Sequence, residues 1–351
     1  MQQCRPVSLF KKPTRGNLGN SRLHDSVSQA VRVTVTAPAR LHLGFFDLNG
    51  GLGRRFGSVG LALSELKTRL TIRKTKTTEV AGPESDRVRR VLDATVALLA
   101  LDSGHSVKIA EIVPAHSGLG SGTQLALAVA GAIRRLHGRP LDVEGDALRL
   151  GRGARSGIGI GLFHHGGLLV DGGRGDEPRP APIISRLPFP DRWRVLVILD
   201  PTRRGLHGAE ETSAFAALPR MPEADAARMC RLILMKALPA LADHDITNFG
   251  AAIKELQMFI GDYFAQAQGG LRFSSPAVAA VLDTLDRAGA YGIGQSSWGP
   301  TGFAFAPSPD DALRLATIAR EDPSSQSLDI RICRGLNRGA EIVAKSQCVG
   351  E

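Results

Sequence analysis

Apolar and polar residues alternate strictly through Val31-Arg-Val-Thr-Val-Thr36 and again through Val107-Lys-Ile-Ala-Glu-Ile-Val113, the period of a strand with one buried face. Arg69–Arg73 repeats the pattern in a shorter form. Three- and four-residue spacing takes over in 85–101, where Val88, Val91, Leu92, Thr95, Val96 and Leu99 share a face. It returns from Gln124 to His137 through Leu125, Ala128, Val129, Ala132, Ile133 and Leu136, which predicts a helix of roughly four turns. A shorter helix is expected at 142–151, and Leu162–Gly173 reads as a strand, so that His164 and His165 point to opposite faces and cannot readily chelate one ion.

The segment 172–190 is dense in Gly, Pro and charge and is the expected connection between two halves. Arg194–Asp200 then predicts a buried strand, 201–208 a basic loop, and 223–242, 246–267 and 276–288 three helices. A glycine-rich hairpin over 289–306, a helix at 309–320 and a strand at Ser327–Cys333 follow, with 344–351 as a tail. At the other end, Arg5, Lys11, Lys12, Arg15 and Arg22 stand against Asp25 alone, without apolar periodicity, and residues 1–30 read as a basic extension. The 351 residues thus divide into the extension, a unit over 31–185 and a second over 190–343.

Charge narrows the partners. The net charge is +10, which favours anionic ligands: nucleic acid, a membrane surface or phosphorylated metabolites. Basic residues are not interleaved with aromatics, which are 5% of the chain, so nucleic acid is not the expected partner. No apolar run approaches the roughly twenty residues of a membrane span. Cys4, Cys230, Cys333 and Cys348 lack any metal-binding or paired spacing, which suits a reduced, cytoplasmic setting.

The densest chemistry is at Pro114-Ala-His-Ser-Gly-Leu-Gly-Ser-Gly-Thr-Gln124, where Gly118, Gly120 and Gly122 lead into the predicted helix. Glycines before a helix N-terminus let backbone N–H groups and the positive end of the dipole meet an anion, phosphate foremost. No Lys follows the glycines, so this is not a Walker A loop. The string resembles the phosphate loop of the GHMP superfamily of small-molecule kinases, although those kinases usually read Gly-Leu-Gly-Ser-Ser-Ala and this chain has Gly122-Thr123-Gln124 after Ser121. A second departure lies in Ser156-Gly157-Ile158-Gly159, where several of these kinases carry an Asp taken as the base for the substrate hydroxyl. Glycine cannot act as a base.

Pro38-Ala-Arg-Leu-His-Leu-Gly44, Asp47-Leu-Asn-Gly50 and Phe56-Gly-Ser-Val-Gly-Leu-Ala-Leu63 are similar instead to one branch of the superfamily, the β-ribofuranosylaminobenzene 5′-phosphate synthases. The resemblance spans 31 to about 340 and implies an α+β, two-domain GHMP-kinase-like architecture: a ribosomal-protein-like N-terminal domain and a ferredoxin-like C-terminal domain. It further implies a decarboxylating pentosyltransferase, a likeness that makes phosphoribosyl pyrophosphate and 4-aminobenzoate the expected substrates, Mg2+ the expected cofactor and a homodimer the expected assembly. A GHMP kinase using ATP is the alternative. Arg40, His42, Arg155 and Gln295 are the candidate catalytic residues. Asp47, Asn49, Arg54, Gly118, Gly120, Ser121, Gly122, Thr123, Ser296 and Trp298 are the candidate substrate contacts. On residue type alone, Arg54 and Arg55 either clamp a phosphate or sit in solvent, and Trp298 is either core or a platform for an aromatic substrate. No metal ligand is assigned.

Overall fold

The computed structural model describes residues 30–206 and 208–346. The basic extension lies outside the described residues except for Ala30, which opens β1 (Ala30–Asp47). This strand runs far beyond the alternating stretch that announced it. Its first part puts Val33, Val35 and Ala37 into one core and its second part puts Ala39, Leu41, Leu43 and Phe45 into another. A register shift at Pro38/Ala39 against β2 (Gly57–Thr75) marks the changeover. The signature from Ala37 to Asp47 is therefore part of the ladder.

Beside these two strands lie β3 (Glu79–Ala81) and β4 (Gly104–Glu111), and with β11 (Glu341–Ser346) the order is β11-β1-β2-β4-β3, with β5 (Leu168–Asp171) paired to β2 and β6 (Ile183–Leu187) paired to β5. Against β1 and β2 packs α2 (Ser121–Leu136), and α1 (Ser85–Leu98) packs on α2 and β3. Leu125, Val129, Ile133 and Leu136 of α2 are fully buried, and complete burial of such side chains contributes about 1.5–3 kcal/mol each. Two short helices follow, α3 (Val143–Arg149) and α4 (Ile158–His165).

Three readings of the sequence are corrected here. His164 and His165 end a helix rather than lying in a strand, and their exposed rings stack at 4.2 Å; Gly166 and Gly167, both at positive φ, stop the helix before β5 begins. The connection expected from 172 contains β6, so the N-terminal sheet extends past 185. The expected tail from 344 contains the end of β11 (Glu341–Ser346), which pairs antiparallel with the start of β1.

The second sheet is β10-β7-β9-β8, built from β7 (Arg194–Leu199), β8 (Tyr291–Gln295), β9 (Thr301–Ala306) and β10 (Asp329–Cys333), with antiparallel neighbours throughout. Fourth, first, third, second is the ferredoxin-like order. Between β7 and β8 come α5 (Gly208–Ala217), α6 (Glu223–Leu232), a π-turn leading to α7 (Leu238–Ala242), α8 (Ile246–Phe264) and α9 (Pro276–Arg287); α10 (Pro309–Glu321) precedes β10. Only α5 is absent from the sequence reading. Its residue Phe215 joins a core shared by both sheets, with Phe45, Phe249, Phe264, Trp298 and Phe305, and this core holds the halves together.

Candidate active site

Between the halves opens a cleft of about 820 Å³. Its floor is the glycine loop. Gly118 and Gly120 have φ of +83° and +71°, and a Cβ at Gly120 would stand 2.9 Å from the Arg40 side chain, so glycine is needed there for both reasons. Helix α2 begins at once with Ser121; the Thr123 and Gln124 N–H groups donate back to the Gly120 carbonyl, and Ser121 and Gly122 line the cleft. Gly122 is helical and contributes space rather than conformation: a Cβ on it would lie 3.0 Å from Arg152 Nη1.

The two departures from the kinase pattern touch each other. A Cβ on Gly159 would meet the Thr123 methyl at 3.2 Å, and the Gln124 amide donates to the Gly159 carbonyl at 2.7 Å. Where several kinases carry a carboxylate, this chain seals the start of α4 against the start of α2.

Of the candidate residues, the cleft gathers Arg40, Arg155, Gly118, Gly120, Ser121, Gly122, Thr123 and Trp298. Arg155 forms an ion pair with Glu211 at 3.1 Å and lies 4.8 Å over the Phe215 ring, which stacks on Trp298 at 4.2 Å. Trp298 is thus both core and cleft wall. Burial draws the Arg40 guanidinium down to about 10, with the Glu211 carboxylate opposing. His42 and Gln295 line a separate, smaller cavity beneath Ser297 with room for about one water molecule, 10 Å³. Neither ring nitrogen of His42 has a hydrogen-bond partner among the described residues, and burial, with Arg40 beside it, holds its pKa well below the ordinary value. This environment favours the neutral imidazole. The Gln295 amide is occupied by Ser274, Gln268 and Ser297.

The remaining candidates serve the backbone. The Ser296 hydroxyl accepts from His42 N–H at 3.0 Å and donates to the Gly118 carbonyl at 2.8 Å, clasping β1 to the loop. Asp47 accepts from the N–H groups of Asn49 and Gly50, and Asn49 donates to the Met221 carbonyl. Arg54 donates to the Gly172 and Gly173 carbonyls.

Sequence reasoning missed Arg87, Arg152 and Glu211. Arg87 Nη2 donates to Ser121 Oγ at 3.0 Å and its Nη1 pairs with Glu84 at 2.6 Å. The Arg152 side chain makes no hydrogen bond or ion pair among the described residues, its Nε is buried without a partner, and burial together with Arg87 lowers its pKa. Its position between Gly151 and Gly153, just before Ser156-Gly157-Ile158, was the available signal. Arg87 carried none, because only the inward stripe of α1 has a period.

A four-stranded ferredoxin-like half beside a larger sheet, with a glycine loop opening a helix between them, defines the GHMP-kinase fold. The models named "GHMP kinases N terminal domain" and "GHMP kinases C terminal" match residues 86–167 and 237–324. A solved homoserine kinase from Cytophaga hutchinsonii superposes with a TM-score of 0.62 at 17% identity, covering 93% of this chain and 100% of that one. The β-ribofuranosylphenol 5′-phosphate synthase of Archaeoglobus fulgidus is 34% identical over 88% of this chain and 98% of its own length, and that of Methanothermobacter thermautotrophicus is 30% identical over 89% and 99%. The chain belongs to this synthase family and is an enzyme of its kind, a transferase of the GHMP superfamily acting on small molecules. None of the helices among the described residues is long and apolar enough to cross a membrane.

Proposed function

We propose that the chain condenses phosphoribosyl pyrophosphate with a para-substituted benzoate, 4-aminobenzoate or its hydroxyl counterpart, releasing diphosphate and carbon dioxide. One observation carries this reading beyond family membership: the cleft surrounds a phosphate-type loop with Arg40, Arg87, Arg152 and Arg155, and the chain carries glycine at 159. Such a wall suits a substrate with two phosphate groups better than proton abstraction from a hydroxyl.

The chemistry asks little of a base. The bond from the ribose C1 to the diphosphate oxygen breaks and its electron pair leaves with diphosphate, so positive charge develops at C1. The ring carbon bearing the carboxylate attacks C1, driven by the para amino or hydroxyl group. The bond to the carboxylate then breaks, its electrons restore the aromatic ring, and carbon dioxide departs. The protein orients two anions, stabilises the leaving charge and excludes water. The aromatic end of the cleft, beside Trp298 and Phe215, is the place for the acceptor ring.

Mg2+ fits this wall poorly as a protein-held ion. Among the described residues, Glu211 is the single carboxylate lining the cleft, and no cluster of three or more His, Cys, Asp or Glu suited to a metal occurs.

The test is incubation with phosphoribosyl pyrophosphate and carboxyl-labelled 4-aminobenzoate or 4-hydroxybenzoate. Labelled carbon dioxide should appear one for one with diphosphate. A product that keeps its carboxylate, or transfer of the ATP γ-phosphate to homoserine, mevalonate or a sugar, refutes the proposal.

A further inference from the structure

We propose that Arg87 and Arg152 form a diphosphate clamp over the first turn of α2, so that this end of the cleft holds the leaving group of the glycosyl donor. The assignment rests on the synthase reading for the identity of that donor.

The two guanidinium groups come from different elements, Arg87 from α1 and Arg152 from the loop between α3 and α4, and they converge. A Cβ built on Gly122 would lie 3.0 Å from Arg152 Nη1 and 3.8 Å from Arg87 Nη2, so both groups stand close to one point. Glu84 pairs with Arg87, but no such partner meets Arg152 among the described residues. A protein gains nothing in the free state by crowding a second cation against the first with its Nε buried and unmatched. An anion placed between them removes the repulsion, satisfies the free donors and can be gripped in bidentate fashion. Gly122 leaves open the space beside Arg152 Nη1, which a Cβ at 3.0 Å would push back by a few tenths of an ångström.

The choice of diphosphate over monophosphate comes from the polarity of the cleft. At the Arg155 end, Glu211 sets a carboxylate among the cations, and Arg40 feels it too. Negative charge there suits a C1 centre that turns positive as the bond breaks. The leaving oxygen gains the electron pair, so its charge grows in the transition state, and the end with an unpaired arginine stabilises that growth most.

The test is titration calorimetry of the full chain with inorganic diphosphate and ribose 5-phosphate as separate probes. Arg152→Met should weaken diphosphate at least about tenfold and leave ribose 5-phosphate within about twofold, with Arg152→Lys in between, since a point charge replaces a fork. The Arg152→Met protein should melt at or above the wild-type temperature because a repulsion has gone. Unchanged diphosphate affinity, or a loss confined to ribose 5-phosphate, overturns the clamp. So does a variant that fails to fold, since a side chain kept for a ligand is not needed by the fold. If wild type binds diphosphate, Arg152→Met does not, and wild type forms no product with either benzoate, the clamp stands and the synthase reading falls.

Discussion

Two stretches of this chain look alike as sequence: Asp47–Gly57 and Gly118–Gln124 are both rich in glycine and polar groups, and the first carries the paired arginines. Folded, they differ in where their hydrogen bonds go. In the first, Asp47 closes its own turn, Asn49 reaches Met221, Arg54 binds two carbonyls across the β5–β6 connection and Arg55 binds the Leu48 carbonyl. In the second, Gly118, Gly120, Ser121 and Gly122 line an open cleft, and the arginines beside them come from elsewhere in the chain. Spent polar groups build a scaffold, whereas unspent ones wait for a ligand.

The largest effect expected from this contrast is at Gly120. Valine there must hold a β-branched residue at φ +71° with its Cβ against Arg40, and turnover should fall at least about a hundredfold while the circular dichroism spectrum is kept. Unchanged affinity of Gly120→Val for phosphoribosyl pyrophosphate would remove the loop from the site. Next comes Arg54→Ala, which frees the Gly172 and Gly173 carbonyls and should lower stability by about 1–2 kcal/mol in urea titration. Loss of turnover at an unchanged urea midpoint would mean that the guanidinium leaves its carbonyls to meet a ligand, and the contrast between the two stretches would fail.

The smallest effect lies at the far end of α2, where polar groups are again spent. Arg134 holds Asp146 in a bidentate pair, and His137 Nε2 lies 2.9 Å from His105 Nε2. Burial, then Lys74, His105 and Arg139, push the His137 pKa down to about 4 from 6.5, and burial with Lys74 lowers His105 as well. The folded state therefore prefers neutral rings. Their contribution is complete above pH 6.5 and is lost as pH falls toward 4, because the unfolded chain takes up protons first. Stability measured against pH should decline through that window, and His137→Asn should flatten the decline; an equally steep fall in the variant would place the acid sensitivity elsewhere.

What the sequence determined by itself was whatever a local period or a contiguous motif can encode. The apolar stripe of α2, the alternation of β4, the glycine loop and the absent carboxylate at 159 are each written within a few residues, and the order of motifs led to the family. What only tertiary structure decided was everything that depends on a distant partner. Glu341–Ser346 became strand because β1 had an open edge. His164 and His165 ended up in a helix whose start is sealed by Thr123 and Gln124, from α2. Arg87 and Arg152 are 65 positions apart in the chain, so no window of sequence contains their convergence. Backbone preference and side-chain period act over one or two turns, whereas an anion site is a meeting of charges that the packing of separate elements brings about.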